Sequence, residues 1–448
     1  MSDLMSIGAS GVRAYQTALG TVSDNIANVG TAGYARRTTN LAEVTAVGSS
    51  LSGGGSLAGG GVTLTGIGRI TDTYKTAEVR GSASDLARTQ AGATWLDRVQ
   101  TALTGNQLGD RLTGFFTAST TLAADPTSSA ARSTMLEAGT SVAGAFTGTG
   151  RALDQVASDM DGTADDATAQ LDTLGQSLAS VNDGLGRAAA GSSAAASLAD
   201  QRDSITEQMS AISDVDVQTD AQGRATVRLG GAGGPTFVAG NDAGHVTYAR
   251  SDTGAVSFAV HRDGQAAALV PGGGALAGIA DAASRISDSR TQLDTLASSF
   301  ADGVNSVQAQ GDDLNGTPGA AMFSVGATPT DLTLSLTDPS GIAAAAHGGG
   351  TRDNSNLAAL ATLRTGSGVE NKTTALVADT AAALAAKQTV ATAQTTIHDG
   401  AVTARDAVSG VNLDTEAVDL MRFQQAYQAS SRVIQVARDT FQSIIAIN

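Results

Sequence analysis

Both ends of the sequence carry an apolar stripe at unbroken helical spacing. At the front, Met5, Gly8, Val12, Tyr15, Leu19, Val22, Ile26 and Val29 follow one another at alternating three- and four-residue steps. At the back, Leu413, Ala417, Leu420, Phe423, Tyr427, Ser430, Ile434, Ala437, Phe441 and Ile444 do the same. Such spacing keeps one narrow stripe on one side of an α-helix, as a coiled-coil seam requires. Chain termini are usually the least ordered parts of a domain. With no globular segment expected beyond either stripe, each is predicted to bury against the other or against a neighbouring copy of the chain.

The 448 residues suffice for several domains and a sizeable core, but only 3% are aromatic. The interior is therefore expected to rest on Ala, Leu, Val and Ile, which suits closely packed helices. A formal net charge of -16 argues against a nucleic-acid surface, which needs clustered Lys and Arg. The chain has no cysteine, so disulfides and thiolate metal sites are excluded. No apolar run reaches the roughly 18 residues of a membrane-spanning helix. Met1–Leu4 lacks the basic and apolar stretches of a cleaved secretory signal. That predicts either a cytoplasmic chain or export without a cleaved leader.

Patterning along the chain predicts a mainly α fold with inserted antiparallel β: paired N- and C-terminal coiled-coil helices, a long helical-bundle domain and a small β domain. The first helix is expected from about Asp3 to Val29, stopped by the Asn28–Gly33 segment. Residues 47–61 are mostly Gly and Ser, a linker composition. Loose alternation over Val62–Tyr74 suggests a short strand. Helical periodicity follows over 76–105, 108–122 and 127–190, interrupted by glycine and by Asp125-Pro126, and then from Ser197, as a serine cap, to Ser213. Between Val215 and Val260 short alternating runs separated by glycine turns read as strands. Helix returns over 275–310, a second β-like piece covers Met322–Leu336, and a last helical pair spans 373–407 and 415–447. The expected domains are 1–45 with 406–448 for assembly; 46–214 with 273–316 and 346–405 as the helical body; and 215–272 with 317–345 as a β-rich outer part.

Catalytic patterns are weak throughout. The four histidines, His245, His261, His347 and His398, lack a second ligand at i+3 or i+4, so no metal site is expected. The glycines of Gly230–Gly234 resemble a phosphate cradle but lack the following Lys-Ser/Thr, and they read as a strand turn. Asp312–Gly316 echoes a calcium loop without its distal Glu and reads as an Asn-Gly turn. No catalytic residue and no cofactor is expected.

Particular segments carry a family likeness. Ser10–Leu19, Val22–Asn28 and Thr31–Tyr34 resemble the start of flagellar axial proteins of the rod, hook and hook–filament junction. Ser409–Asp414, Glu416, Arg422–Ser430 and Arg432–Ile434 resemble their ends. Leu198–Asp203, Phe115-Phe116 with Asp125-Pro126 and Arg132, Gly311–Gly316 and Asp353–Asn356 narrow the resemblance to the first hook-associated (junction) protein family. Where that family commonly has Thr-Pro-Gly-Tyr-Ser-Arg, this chain reads Thr31–Arg36 with alanine at 32 and 35.

The resemblance implies a structural adaptor between hook and filament, exported unfolded through the flagellar type III channel and located at the extracellular junction. Its implied partners are copies of itself in a ring or tube, the hook protein, a second hook–filament junction protein and an export chaperone. The implied assembly interface comprises Met5, Val12, Tyr15, Leu19, Val22, Asn25, Ile26, Asn28, Val29, Gly33 and Tyr34 at the front. At the back it comprises Leu413, Leu420, Phe423, Tyr427, Ile434, Phe441 and Ile444. Terminal helices that fold on docking are expected. Other readings are a rod or hook subunit, a secreted hydrolase with flagellar-type ends, or an adhesin displaying the β insert.

Overall fold

A computed structural model describes residues 2–44 and 60–446. The Gly/Ser-rich stretch expected over 47–61 lies outside the described residues apart from Gly60 and Gly61, as do Ile447 and Asn448. Helix α1 spans Ser2–Ala27, α2 Thr73–Gly105, α3 Leu108–Ala124, α4 Ser129–Arg187 and α5 Ser193–Ile212. Later come α6 Gly274–Ala309, α7 Ser355–Ser367, α8 Val369–Ser409 and α9 Leu413–Ile445. Strands β1 Arg37–Glu43 and β2 Val62–Arg69 pair antiparallel as a ribbon. The inserted strands are β3 Val215–Thr219, β4 Ala225–Leu229, β5 Thr236–Ala239, β6 Asp242–Ala243, β7 His245–Arg250, β8 Val256–Arg262 and β9 Gln265–Leu269. They form a four-stranded antiparallel sheet in the order β3-β4-β5-β6 and a three-stranded one in the order β7-β8-β9. Short pairs β10 Gly311–Asp312 with β13 Ala345–Ala346, and β11 Phe323–Val325 with β12 Leu332–Leu334, complete the described strands.

The frame is built on α4. Its 59 residues run without a break, roughly 90 Å at the α-helical rise. Ser128 starts it by accepting the Ala131 N–H at 3.3 Å. The glycines expected to interrupt this stretch instead stay helical and admit close neighbours. A Cβ at Gly175 would lie 2.8 Å from the Phe237 ring, so only glycine lets the β insert seat there. Beside it, Asn182 clamps the insert, accepting from Ala225 N–H at 2.8 Å and donating to the Ala225 and Gly240 carbonyls, each at 2.8 Å.

Scarce aromatics are concentrated. Phe115, Phe116, Phe146, Phe300 and Phe323 pack at ring separations between 5.2 and 6.2 Å, mostly edge-on or tilted. Buried Arg132 anchors the loop before α7: it donates to the Pro126 carbonyl at 2.7 Å and the Ile342 carbonyl at 2.8 Å. Burial lowers the pKa of that guanidinium.

Several boundaries differ from the sequence expectation. Helix α5 begins four residues earlier than Ser197, because Ser192 is the cap, accepting the Ala195 N–H at 3.1 Å. Helix α7 and strand β1 had no periodic signal and form nonetheless. The β11–β12 hairpin seats on α4 and α6, where Thr147 donates to the Thr330 and Leu332 carbonyls and Asn305 brackets the Phe323 backbone. It is a sheet of its own, bonded to the helices α4 and α6.

Candidate assembly interface

Helices α1 and α9 lie against one another, and their mutual seam explains the terminal stripes only in part. At its root, Ala18, Val22 and Phe423 form a buried cluster, with Tyr15, Leu19, Ile26 and Leu420 packed around it. The Tyr15 and Phe423 rings sit 6.4 Å apart. Farther along, small residues bring the backbones together. A Cβ at Gly8 would stand 2.6 Å from Ile434 Cγ1, and one at Gly11 2.5 Å from Ser430 Oγ. The intramolecular seam thus runs through Gly8 and Val22 of the stripe and through Gly11 and Ala18 beside it.

A polar node closes the root. Asn25 is 1% exposed and Glu416 0%. Asn25 Nδ2 donates to Glu416 Oε2 at 2.9 Å and to the Arg37 carbonyl at 2.8 Å. Its Oδ1 accepts from the Arg37 N–H and the Tyr34 hydroxyl, both at 3.0 Å. Arg36 Nε donates to Glu416 Oε1 at 2.6 Å, and its other end reaches Asp419 at 3.1 Å. The buried carboxylate therefore has both a countercharge and hydrogen bonds, the condition under which a buried charge is tolerated. Burial, opposed by Arg37, raises the Tyr34 pKa, so its hydroxyl stays a donor. Asn28 donates to the Asp24 carbonyl at 2.8 Å and ends α1, and Gly33 turns the chain at φ +77°.

This root is tied to the helical body through α5. Asp200 accepts from Arg37 Nη2 at 3.1 Å and from the Arg69 guanidinium at 2.8 Å, gripping both strands of the β1–β2 ribbon. Asp203 takes the other Arg69 nitrogen at 2.7 Å, and Arg202 donates to the Gly223 carbonyl at 2.6 Å in a β-insert turn. Arg405 of α8 meets Glu207 of α5 at 2.9 Å, and the Arg36 N–H donates to the Ser409 carbonyl at 2.8 Å. Burial disfavours the Arg405 charge, but bonding to Asp406 and the charge of Glu207 outweigh it and raise its pKa. The Leu198–Asp203 segment is thus a joint between the terminal helices, the helical body and the β insert.

The predicted residues divide by position. Val22, Asn25 and Phe423 are buried in the pair; Val12, Tyr15, Leu19, Ile26, Asn28, Tyr34, Leu420, Tyr427 and Ile434 are half-buried. Met5, Val29, Leu413, Phe441 and Ile444 stay exposed in the single chain, as does Gly33. Beside them Val418, Met421 and Val436 on α9 are 55–61% exposed. Apolar counting overlooked Gly11 and Ala18, because small residues add little to a stripe. Arg36 and Glu416 stood in the quoted motifs, but charge alone gives no sign of burial. No helix among the described residues is long and apolar enough to cross a membrane, and no group of His, Cys, Asp and Glu among them could hold a metal ion.

Comparison with known proteins adds three family matches. The model for the flagellar hook-associated protein FlgK helical domain covers residues 94–323. That for the flagellar basal body rod FlgEFG protein C-terminal covers 405–447, and that for flagella basal body rod protein covers 5–34. Flagellar hook-associated protein 1 of Salmonella typhimurium is 32% identical over 138 residues, which is 30% of this chain and 24% of that protein. The same-named Escherichia coli protein is 29% identical over the same coverage. The matched stretch is thus about a quarter of the length of these curated relatives. The solved flagellar hook junction protein FlgK from Burkholderia pseudomallei shares the fold, with a TM-score of 0.50 and 23% identity over 56% of this chain and 47% of that one.

Proposed function

The chain belongs to the flagellar hook-associated protein FlgK family, and from that premise we propose that it is a structural subunit joining the flagellar hook to the filament. The observation that carries this reading is the terminal pair: α1 and α9 bury one face against each other, leaving Met421 and Val436 exposed off the seam and Phe441 and Ile444 exposed at the tip of α9. Contiguous exposed apolar side chains mark contact surfaces, and here the partner is a neighbouring copy in a ring or tube. Residues 1–45 with 406–448 form the assembly domain in this account. The hook protein and a second junction protein meet the ends of that ring, and an export chaperone holds the chain beforehand. Export runs through the flagellar channel to the outer surface of the cell.

A rod or hook subunit would share the terminal segments. The match over residues 94–323 and the Asp200–Asp203 joint favour the junction. The family is structural, and no catalytic role enters this reading. The test is a deletion strain complemented with tagged chain. Detached filaments in the deletion strain, with restored attachment and the tag between hook and filament on complementation, are expected. Normal filaments without the chain, or a tag in the rod, would refute the proposal.

A further inference from the structure

Helices α4 and α8 lie on opposite sides of a layer formed by α2 and α6: each packs on both, and the two share no substantial contact. Among the described residues outside α1, α9 and the turn after α1, six large apolar side chains are exposed, and Val390, Ile397 and Val408 of α8 are half of them. Val390 and Ile397 belong to a stripe at helical spacing, Ala386, Val390, Ala393, Ile397 and Gly400, every member of which is exposed. Its first two residues wall a groove of about 350 Å³ between α6 and α8, floored by Gly92 and Leu96 of α2. The rim of that groove is cationic. Lys387 lies 3.6 Å from Asp281, a carboxylate already held by Arg88 at 3.1 Å, and Arg285 has neither an ion pair nor a hydrogen bond.

The other side of the layer carries the complement. Asp165 and Asp166 of α4 are exposed, and their side chains have neither an ion pair nor a hydrogen bond. They stand at the height of the groove. Asn106 of α2 lies against Gly148 of α4, and Arg98 reaches Asp159 at 3.2 Å, so the two helices run antiparallel and bring residue 166 about level with Gly92, where Lys387 packs. We propose that the α6–α8 groove of one copy receives the Asp165–Asp166 face of α4 from the next, a lateral contact between helical bodies that is separate from the terminal helices. On a chain of net charge -16 most surfaces repel a second copy, so a cationic groove singles out where one can approach. The apolar floor and stripe supply contact area, and Arg285 and Lys387 against two carboxylates fix the register. Because the two surfaces lie at one height on opposite sides, the contact is heterologous, and each copy offers one groove and one acidic face, as a closed ring needs. This inference rests on the assembly reading and adds a second surface to it.

The chain has no cysteine, so introduced thiols report the contact directly. Ala169→Cys and Ala393→Cys place one on each surface, beside the carboxylates and beside Val390, at positions exposed in the single chain. Mild oxidation of isolated hook–filament structures built from the full-length double variant should give a ladder of cross-linked multimers, with α4 peptides joined to α8 peptides in mass spectrometry. Either single variant, and Ala169→Cys combined with Val325→Cys, should stay monomeric. Arg285→Glu in the double variant should cut the ladder at least about tenfold, and adding Asp166→Arg should recover it. Single variants that cross-link as well as the double would show a two-fold or random contact and overturn the proposal, as would a ladder indifferent to the charge changes. Incorporation at the wild-type level without a ladder would overturn this inference and leave the assembly reading. A ladder in concentrated purified chain that never enters flagella would retain the contact and remove that reading.

Discussion

Asn25 and Glu416, 391 residues apart in sequence, are hydrogen-bonded at 2.9 Å where neither is exposed to solvent. All of the Asn25 amide is used: two donors go to Glu416 and the Arg37 carbonyl, and the oxygen accepts from Arg37 N–H and Tyr34. Replacing it by alanine leaves buried partners unsatisfied, an expected loss of about 1–3 kcal/mol. Asn25→Asp should cost more, because it sets a second carboxylate against Glu416. Limited proteolysis within residues 15–30 and 412–425, compared between the two variants, checks the order.

Close approach of the helices at Gly8 makes a second prediction. Alanine there gains up to about 1 kcal/mol of helix propensity. Its Cβ would, however, meet Ile434 Cγ1 at 2.6 Å and the Ser430 carbonyl at 3.2 Å. Gly8→Ala should therefore weaken the pair, and adding Ile434→Ala should recover part of the loss. A double-mutant cycle on pairing stability is expected to give a coupling of at least about 0.5 kcal/mol. Additive effects would place the contact elsewhere.

Asp200 is the third test. One carboxylate holds Arg37 and Arg69, with side-chain exposures of 10–13% across the group. Asp200→Asn strands Arg37 in a poorly hydrated joint and leaves Arg69 to Asp203 alone, at an expected cost of about 3 kcal/mol. The ribbon and the Tyr34 turn should become cleavable while α2–α6 keep their thermal transition. Simultaneous loss of both would make the joint part of the core.

Acid sensitivity is expected at the start of α8. Glu370 accepts from Arg364 at 2.6 and 2.8 Å and from Thr113 at 2.7 Å. The Arg364 bonds, opposed by burial, hold its carboxyl below the usual range. A folded-state value below the unfolded one stabilises fully above the ordinary value of about 4.3 and is lost as pH falls through the folded value. Glu370→Gln should thus lower the urea midpoint near neutral pH and match the wild type in strong acid. Arg364 is 37% exposed on its side chain, so the neutral-pH loss should stay near or below about 1 kcal/mol.

How much of this was legible in the sequence depends on what each element buries. Long amphipathic helices such as α6 and α9 announce themselves, since Leu293, Leu296, Phe300 and Val304 repeat on one face. The β insert was readable from its glycine turns. Strand β1 was not, because Arg37–Glu43 carries mixed polar residues whose partner strand begins 19 residues after it ends. The terminal seam was half legible. Its apolar members stood out, but its closest approaches run through glycine and alanine, and its central charge is buried only because Arg36 and Asn25 arrive from the other end of the chain. Pairwise complementarity of that kind leaves no periodic trace.

The account stands or falls on the outer face of α9. Met421 and Val436 are 55% and 61% exposed and lie off the seam with α1, so aspartate at both leaves the single chain intact. The decisive measurement is the amount of Met421→Asp/Val436→Asp chain recovered in isolated hook–filament structures, relative to the amount exported. Normal export with incorporation reduced at least about tenfold is predicted, since burying unpaired charge in a helix interface costs about 3–5 kcal/mol. Incorporation at the wild-type level would contradict the terminal helices as the assembly interface.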